Sequence, residues 1–432
     1  MKALKKLFVA GLALSLPLAT LAQATEAAKP AEAAPAAAPA PAAKPAEETI
    51  KVTPYGFVLL NAYWDGNTLV NKDYPGQAAR AGTNEGGAFL MSARQSRIGM
   101  RLATSGENWT GAALTGVLEF DFKAGHLSTA STAWYNGVMR LRLAAMTATW
   151  KTPYGNWAVL AGQEYGLVNP LFAESLAWVA DPLFWQAGNL WRRAPQIRLS
   201  YNGQFDAVGL SLAAAMLSPA DAGTPVDYGY GNASRTPNFE ARAAVSVKAA
   251  PDISGTVGAG YHMQTRRYRY GTPTEKDVDG WMFGADADLN LTQFLQVKGE
   301  YFTGEGADDT YNTIGSPAVQ VAAPNQKVKS DGFWAQGIVK PIPQVWLTIG
   351  YGQAKANKGD LTDAIAGVTP DPTNSTRYEN SQLAGGVLVN AGKFWRFGVE
   401  AMQVTTKYLA APAGSDPEQK ATQIAVSSQL KF

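Results

Sequence analysis

Apolar and polar residues alternate one by one in a series of short segments between residue 51 and the end of the chain. In the last segment, a single serine interrupts an otherwise apolar face: Ile424, Val426, Ser428, Leu430 and Phe432. This period of two predicts β-strands with one apolar and one wet face. We count sixteen such segments, near residues 52–64, 88–104, 108–124, 136–151, 155–165, 193–203, 204–217, 237–249, 253–267, 279–290, 293–304, 329–341, 344–356, 377–390, 393–408 and 421–432.

The connections between these segments alternate in length. Short turns of two or three residues follow every second segment, as at Asn202-Gly203 and Ile342-Pro343. The connections between them are long: 65–87, 125–135, 166–192, 218–236, 268–278, 305–328, 357–376 and 409–420. Transmembrane barrels have this asymmetry because their two ends face different compartments, whereas a soluble sandwich has no reason for it. The sequence therefore predicts an all-β fold, a transmembrane antiparallel β-barrel of 16 strands over residues 49–432.

The two faces of the predicted strands support a barrel in lipid. Ile98, Met100 and Leu102 alternate with arginine and glycine, and similar rows recur in later strands. Many of the alternate positions carry charges, and tryptophan and tyrosine collect near strand ends, as expected for side chains at the membrane interface. A closed sheet of about sixteen strands with its apolar face outward encloses a water-filled lumen.

The first 48 residues have a different composition. Lysines at positions 2, 5 and 6 precede an apolar run and the small residues Ala22-Gln-Ala24, which predicts a signal peptide over residues 1–24. Residues 25–48 are rich in alanine and proline and predict an extended periplasmic tether. The chain has no cysteine. Cleavage would remove three of its 37 basic residues and leave one more acidic residue (35) than basic, a balance unlike that of nucleic-acid-binding proteins.

The third long connection, 166–192, is too apolar for a loop exposed to water. Two interpretations remain: a surface loop packed on its neighbours or on another subunit, and a loop folded into the lumen that narrows it. We expect the second, because connections of this length in compact proteins are usually functional. Leu171 to Val179 is predicted to form a short helix that ends before Pro182.

Arginines are concentrated in the strands that flank this connection: Arg94, Arg97, Arg101, Arg140, Arg142, Arg192, Arg193 and Arg198. A loop centred near Ala130 places Arg142 opposite Glu119 and Arg140 opposite Asp121, as structural ion pairs.

A turn centred near Gly106 places Arg97 opposite Thr115 and Arg101 opposite Gly111, with no acid facing either. Arg198 alternates with apolar neighbours and is expected to face the lumen. Glu174 and Asp181 of the inserted loop are expected to oppose this arginine-rich wall.

Several motifs resemble those of trimeric Gram-negative porins: Gln95-Ser-Arg-Ile-Gly99, Leu118-Glu-Phe-Asp-Phe122, Leu141-Arg-Leu143, Leu160-Ala-Gly-Gln163 and Pro195-Gln-Ile-Arg198. Over residues 90 to 203 they are most similar to the DcaP-type porins, which are implicated in the uptake of dicarboxylates and other small organic anions. The terminal Phe432 is similar to the last residue of such barrels. The resemblance implies a sixteen-stranded homotrimer in the outer membrane, with an arginine-rich constriction at Arg97, Arg101 and Arg198. DcaP-type chains carry a coiled-coil segment before the barrel, where this chain has the Ala-Pro tether.

The sequence thus predicts a porin for small hydrophilic solutes, with a preference for small organic anions. A non-selective structural barrel that tethers the envelope is the alternative, and an outer-membrane enzyme is a further one. An enzyme would need a nucleophile beside a base. The chain has two histidines, His126 in a loop and His262 facing the predicted lumen, and no serine motif accompanies either. No metal-ligand spacing or cofactor motif appears, so we expect no cofactor and no metal.

Overall fold

The structure, a computed structural model, describes residues 49–70, 73–81, 86–105, 108–125, 137–220, 230–268, 275–311, 313–314, 327–363, 376–409 and 415–432. The predicted signal peptide, the predicted tether and His126 lie outside these residues. No helix within the described ranges is long and apolar enough to cross a membrane.

Sixteen antiparallel strands form the sheet, as predicted. Their bounds are β1 Thr49–Asp65, β2 Ala88–Ser92 and Arg97–Ser105, β3 Ala113–Asp121, β4 Arg140–Thr152, β5 Gly155–Tyr165, β6 Arg193–Phe205, β7 Val208–Leu217, β8 Asn238–Ala250, β9 Ile253–Tyr268, β10 Lys276–Asn290, β11 Leu295–Glu305, β12 Lys329–Ile342, β13 Val345–Ala356, β14 Arg377–Ala391, β15 Trp395–Tyr408 and β16 Glu418–Lys431. Strand β2 is interrupted at residues 93–96 but continues along the same neighbour, β1. A small hairpin, Leu69–Val70 with Gln77–Ala78, and three helical turns, Tyr230–Ala233, Asp308–Tyr311 and Lys358–Asp363, lie in long connections.

Each strand pairs with its neighbours in sequence, and the sheet closes where β1 pairs with β16. The seam runs from Phe57 opposite Lys431 to Asp65 opposite Gln423. Beyond it, Phe432 exchanges two backbone hydrogen bonds with Gly56, of 3.1 and 3.2 Å. Closure leaves no strand edge unpaired, which is the condition for a sheet to sit in hydrocarbon.

Side chains alternate across the sheet as the sequence predicted. The outward face exposes large apolar residues, such as Ile349, Val399 and Ile424, while their neighbours Gly350, Glu400 and Gln423 are buried on the inner face. The inner face carries most of the buried polar and charged side chains. A soluble barrel has the opposite distribution, so this surface suits lipid outside and a polar interior.

The register between β2 and β3 differs from the prediction. The pairing of β2 with β3 is centred three residues later in the chain than predicted, and Asn108 accepts a hydrogen bond from the Thr110 amide and donates to the carbonyl oxygen of Ala112. Gly111 adopts a φ of +66°, which glycine tolerates without strain. As a consequence, Arg97 lies opposite Asp121 rather than Thr115, and Arg101 opposite Val117 rather than Gly111.

We expect Phe432→Asn to lower the thermal stability of the folded barrel. The substitution puts a polar side chain on the apolar face of the strand that closes the sheet, at an estimated loss of about 1–2 kcal/mol. Heat modifiability on denaturing gels measures it: the folded, fast-migrating form should disappear at a lower temperature. Phe205→Asn, at an equally exposed aromatic on an ordinary strand end, is the control. An equal effect of both substitutions would show that closure gives Phe432 no special role.

Candidate functional site

Residues 166–192 lie inside the barrel, held by side chains of its inner face. The carbonyl oxygen of Ala177 accepts hydrogen bonds from Tyr63 (2.8 Å), Gln95 (2.8 Å) and Asn61 (3.3 Å), on β1 and next to β2. On the opposite wall, Glu240 on β8 accepts a hydrogen bond from the Leu167 amide (2.5 Å), and the side chain of Gln382 on β14 donates to the carbonyl oxygen of Trp185 (3.0 Å). The segment therefore crosses the lumen and is bound on both sides.

The backbone N–H groups of this segment are bonded to buried acceptors of the wall. Each acceptor comes from a different strand or bend, and the pairs are Leu167 with Glu240, Leu171 with Glu300, Glu174 with Gln336, Leu176 and Ala177 with Glu400, and Val179 and Ala180 with Gln95. The predicted helix over residues 171–179 is wrong for this reason. Five of its N–H groups, at residues 171, 174, 176, 177 and 179, bond outward to the wall and are therefore not available for i→i−4 bonds.

The apolar side chains of the segment explain why it avoids water. Phe184 stacks on Trp334 of β12 with ring centroids 5.9 Å apart, and both are almost fully buried. Two glycines on β13 make room for this contact. A Cβ at Gly352 would lie 2.2 Å from the carbonyl oxygen of Ala187, and one at Gly350 would lie 2.8 Å from the Phe184 ring. The segment is thus packed as a core inside the barrel.

A cluster of ion pairs lies where the segment meets β3 and β4. Arg140 binds Asp121 at 2.7 Å, and Arg142 binds Glu119 and Asp121 at 2.8 Å each. Both arginines also donate to the carbonyl oxygen of Ala180 at 3.1 Å. The predicted pairing of these four side chains is present, with a bulge after Glu119 that places Leu143, not Arg142, directly opposite it. Because the two arginines pair with two acids, these charges neutralise one another. Arg142 is almost fully buried.

Asp181 and Lys123 extend this cluster. Lys123 lies 3.1 Å from Asp181 and 3.9 Å from Asp73, and Arg140 lies 3.4 Å from Asp181. Burial disfavours the charged form of Asp181, but the nearby cations Lys123 and Arg140 outweigh burial and hold its pKa below the ordinary value. Asp181 therefore stays ionised and is part of the arginine-rich wall, not a charge facing it across the lumen.

Arg97 is not free of acids, in contrast to the prediction. Its Nε lies 3.6 Å from Glu119, and its Nη2 donates to the carbonyl oxygen of Val179 at 2.9 Å. The six-residue change of register between β2 and β3 is the cause. Arg97 therefore shares Glu119 with Arg142, and Glu119 cancels the electric field of Arg97 only in part.

Three other arginines have no ion pair within the part of the chain that the structure describes. Arg101 is exposed and lies over the Tyr55 ring, at 4.7 Å from its centroid. Arg198 donates to Gln196 and to the carbonyl oxygen of Tyr165. Arg193, which the sequence did not single out, stacks on Trp191 and Tyr165, and its Nη1 has no hydrogen-bond partner there. Alternation along β6 alone assigns Arg193 to the outer face, so the sequence did not indicate a lumenal position for it.

Glu174 occupies a different wall from the one predicted. It binds Arg396 on β15 at 2.7 Å. The loop acids are thus each bound to wall cations, Asp181 on the side of β3 and β4 and Glu174 on the side of β15. The predicted arrangement of both acids facing the arginines across the lumen is wrong.

His262 faces inward, as predicted, but is fully buried. Its Nδ1 lies 3.0 Å from Glu240 and its Nε2 lies 3.2 Å from Gln264. Tyr311 also donates to Glu240, whose second oxygen binds the Leu167 amide. This group anchors the start of segment 166–192. Among the described residues, no three His, Asp or Glu side chains are placed to bind a metal ion.

The likeness of this chain to known proteins is structural. No protein-family profile matches the chain, and no curated protein matches it. The outer membrane channel DcaP of Acinetobacter baumannii has a TM-score of 0.66 at 18% identity, covering 89% of this chain and 97% of that one. An anion-selective porin from Comamonas acidovorans has a TM-score of 0.52 at 14% identity, covering 89% and 100%. OmpT of Vibrio cholerae, in its trimer form, has 0.50 at 15% identity, covering 89% and 99%.

The chain thus has the fold of Gram-negative outer membrane porins and resembles DcaP.

We expect Gln95→Leu to release segment 166–192 from β2. The substitution removes the acceptor of two buried amides and three donated bonds, a loss of at least about 2 kcal/mol. The free energy of unfolding in urea, measured on the barrel in lipid vesicles, should fall accordingly. Gln204→Leu removes an exposed glutamine with a single local hydrogen bond and should change it little. Equal losses would contradict the anchoring role of Gln95.

We expect Asp181→Asn to destabilise the barrel by about 3 kcal/mol at neutral pH, because Lys123 remains buried beside a neutral group. Since the folded-state pKa of Asp181 lies below its unfolded value, its stabilisation is complete above about pH 3.9 and is lost as pH falls through the folded-state pKa. Urea unfolding of both proteins from pH 7 to pH 2 should therefore show a difference that shrinks only in strong acid. The exposed Asp252→Asn is the control. A difference that already vanishes at pH 5 would contradict the ionised state of Asp181.

Proposed function

We propose that this protein is an outer-membrane porin, a water-filled channel for small hydrophilic solutes that favours small organic anions. The observation that carries the proposal is the interior of the barrel. Its walls are lined by charged and amide side chains, and a packed segment crosses the lumen at the level of an arginine-rich wall. A segment bound to the wall on both sides narrows the lumen and keeps a fixed position. Such a constriction makes a wide channel selective.

The preference for anions is argued from the positive charges that remain after the ion pairs around the segment are counted. Five cations around the segment, Arg94, Arg97, Lys123, Arg140 and Arg142, face the four acids Asp73, Glu119, Asp121 and Asp181. Arg101, Arg193 and Arg198 add positive charge without an ion-pair partner among the described residues. In a constriction with little bulk water, such charges act on a passing ion with little screening. The Comamonas acidovorans porin, to which this chain is similar in fold, is anion-selective, in agreement with this preference.

The wider assignment includes location and assembly. We propose that residues 1–24 direct export and are removed, that residues 25–48 lie in the periplasm, and that the barrel sits in the outer membrane as a homotrimer. The exposed apolar face and the porin fold support the location. The trimer form of the Vibrio cholerae relative supports the assembly.

Reversal potentials in planar bilayers under a salt gradient test the anion preference. The wild-type channel should be anion-selective, and Arg101→Gln combined with Arg198→Gln should lower the anion-to-cation permeability ratio by about twofold or more. Arg267→Gln is the control for Arg101→Gln alone, because each removes one positive charge, but Arg267 lies at the outer rim, where it binds Asp277. This control should leave the ratio unchanged.

Three outcomes would contradict the proposal in different ways. A cation-selective wild-type channel would exclude the anion preference and leave a general porin. An equal shift with Arg267→Gln would show that total charge, not lumenal charge, sets the ratio. Absence of any conductance from folded trimers or monomers would favour the structural barrel.

A further inference from the structure

A second group of cations lies at the tight-turn end of the lumen. Arg396 is the second residue of β15, Lys340 is near the end of β12, and Lys431 is the last residue of β16. Lys298 on β11 belongs to the same group, within electrostatic range of Lys340 and Glu174. Four carboxylates, Glu174, Asp288, Glu300 and Glu400, lie within reach of these four cations. The group lies at a place that the sequence motifs did not indicate.

Trp346 organises two of these cations. The Arg396 guanidinium and the Lys340 ammonium each lie 4.6 Å from the centroid of its ring. The indole itself is fixed, because its Nε1 donates to the carbonyl oxygen of Pro343 at 3.2 Å. Cation–π contacts of this kind restrict the positions of the two side chains. Both cationic centres are therefore held at one indole ring.

Arg396 presents an edge with no acceptor. Its Nη1 donates to Glu174 at 2.7 Å, while its buried Nε and Nη2 have no hydrogen-bond partner among the described residues. The side chain is only 8% exposed. Nε and Nη2 form the edge of a guanidinium that binds both oxygens of one carboxylate. A buried donor pair without an acceptor is unfavourable, so an incoming carboxylate gains from binding there.

Two side chains of β16, Gln429 and Lys431, lie near Arg396. Gln429 lies opposite Arg396 in the sheet, and its Oε1 also lacks a partner in the described part of the chain. Lys431, two residues further on the same face, is exposed and interacts electrostatically with Arg396 and Glu174. Lys431 would attract an anion to Arg396.

We propose that Arg396, with Lys340, Lys431 and Trp346, forms a carboxylate-binding site on the tight-turn side of segment 166–192. The inference rests on the proposed function, since the ligand reaches the site through the lumen. One carboxylate group of the solute binds the Nε–Nη2 edge of Arg396, and Lys431 or Lys340 binds a further anionic group. The site is separate from Arg101 and Arg198 and holds a solute after it passes, or before it enters, the narrow level.

Succinate is the probe for the test, and its binding is measured from succinate-dependent current fluctuations in single channels. Arg396→Gln should raise the half-saturating concentration of succinate about tenfold, as expected for loss of a charge-assisted bidentate pair. Arg396→Lys keeps the charge but not the fork, and should be impaired to a similar extent. Lys248→Gln, at an exposed lysine on the inner face of β8 near the same end of the barrel, is the matched control.

A variant of Glu174 separates binding from loop position. Glu174→Gln also breaks the contact between the segment and β15, but it leaves Arg396 charged with more of its N–H groups available. Succinate binding should then be unchanged or tighter. Weaker binding, equal to that of Arg396→Gln, would show that only the loop position matters and would overturn the site. Wild-type affinity in Arg396→Lys would overturn the bidentate contact.

The reversal potential distinguishes failure of this inference from failure of the proposed function. An anion-selective wild-type channel whose succinate binding ignores Arg396→Gln would retain the porin function and exclude the second site. A channel that is cation-selective, or that shows no succinate-dependent fluctuations in the wild type, would contradict both. Heat modifiability of each variant verifies that the barrel is folded before its currents are compared.

Discussion

Every backbone N–H and C=O group of a sheet in hydrocarbon must find its partner within the protein, because lipid offers none. Strands that are neighbours in sequence pair with each other, but the first and last strands would leave free edges. The pairing of β1 with β16 removes these two edges. Closure also creates the lumen, and with it a second form of the same problem. A segment folded into the lumen brings its own backbone groups away from bulk water, and they too need partners.

The wall supplies those partners through side chains that look misplaced in a transmembrane sheet. Glu240, Glu300 and Glu400 are buried on the inner face, and each accepts a hydrogen bond from an amide of segment 166–192. Gln95 does the same from the bend in β2. Buried carboxylates are therefore not only elements of the channel's charge. They fix the shape of the segment, so that in the proposed channel charge selectivity and loop position would depend partly on the same residues.

Period-two alternation was enough to predict the strand number, the orientation of the faces and the seam, because each depends on local pattern and on a count. The Arg140–Asp121 pair was predicted for the same reason. What failed depended on connections. The pairing of β2 with β3 is centred three residues later than predicted, and this moved Arg97 into contact with Glu119. The helix expected over residues 171–179 failed because its amides bond to distant strands, and no local propensity reports those partners.

The balance of paired and unpaired charge explains why composition says little about selectivity here. Arg140, Arg142 and Asp181 lie at the level of the inserted segment, yet their charges are mutually neutralised and mostly buried. Their main effect is to hold the segment against β3 and β4. The field that a solute meets is left to cations outside these pairs, such as Arg101 at the wall and Lys431 near the tight-turn end. Burial thus divides one set of charged residues into those that hold segment 166–192 in place and those that, in the proposed channel, would act on the solute.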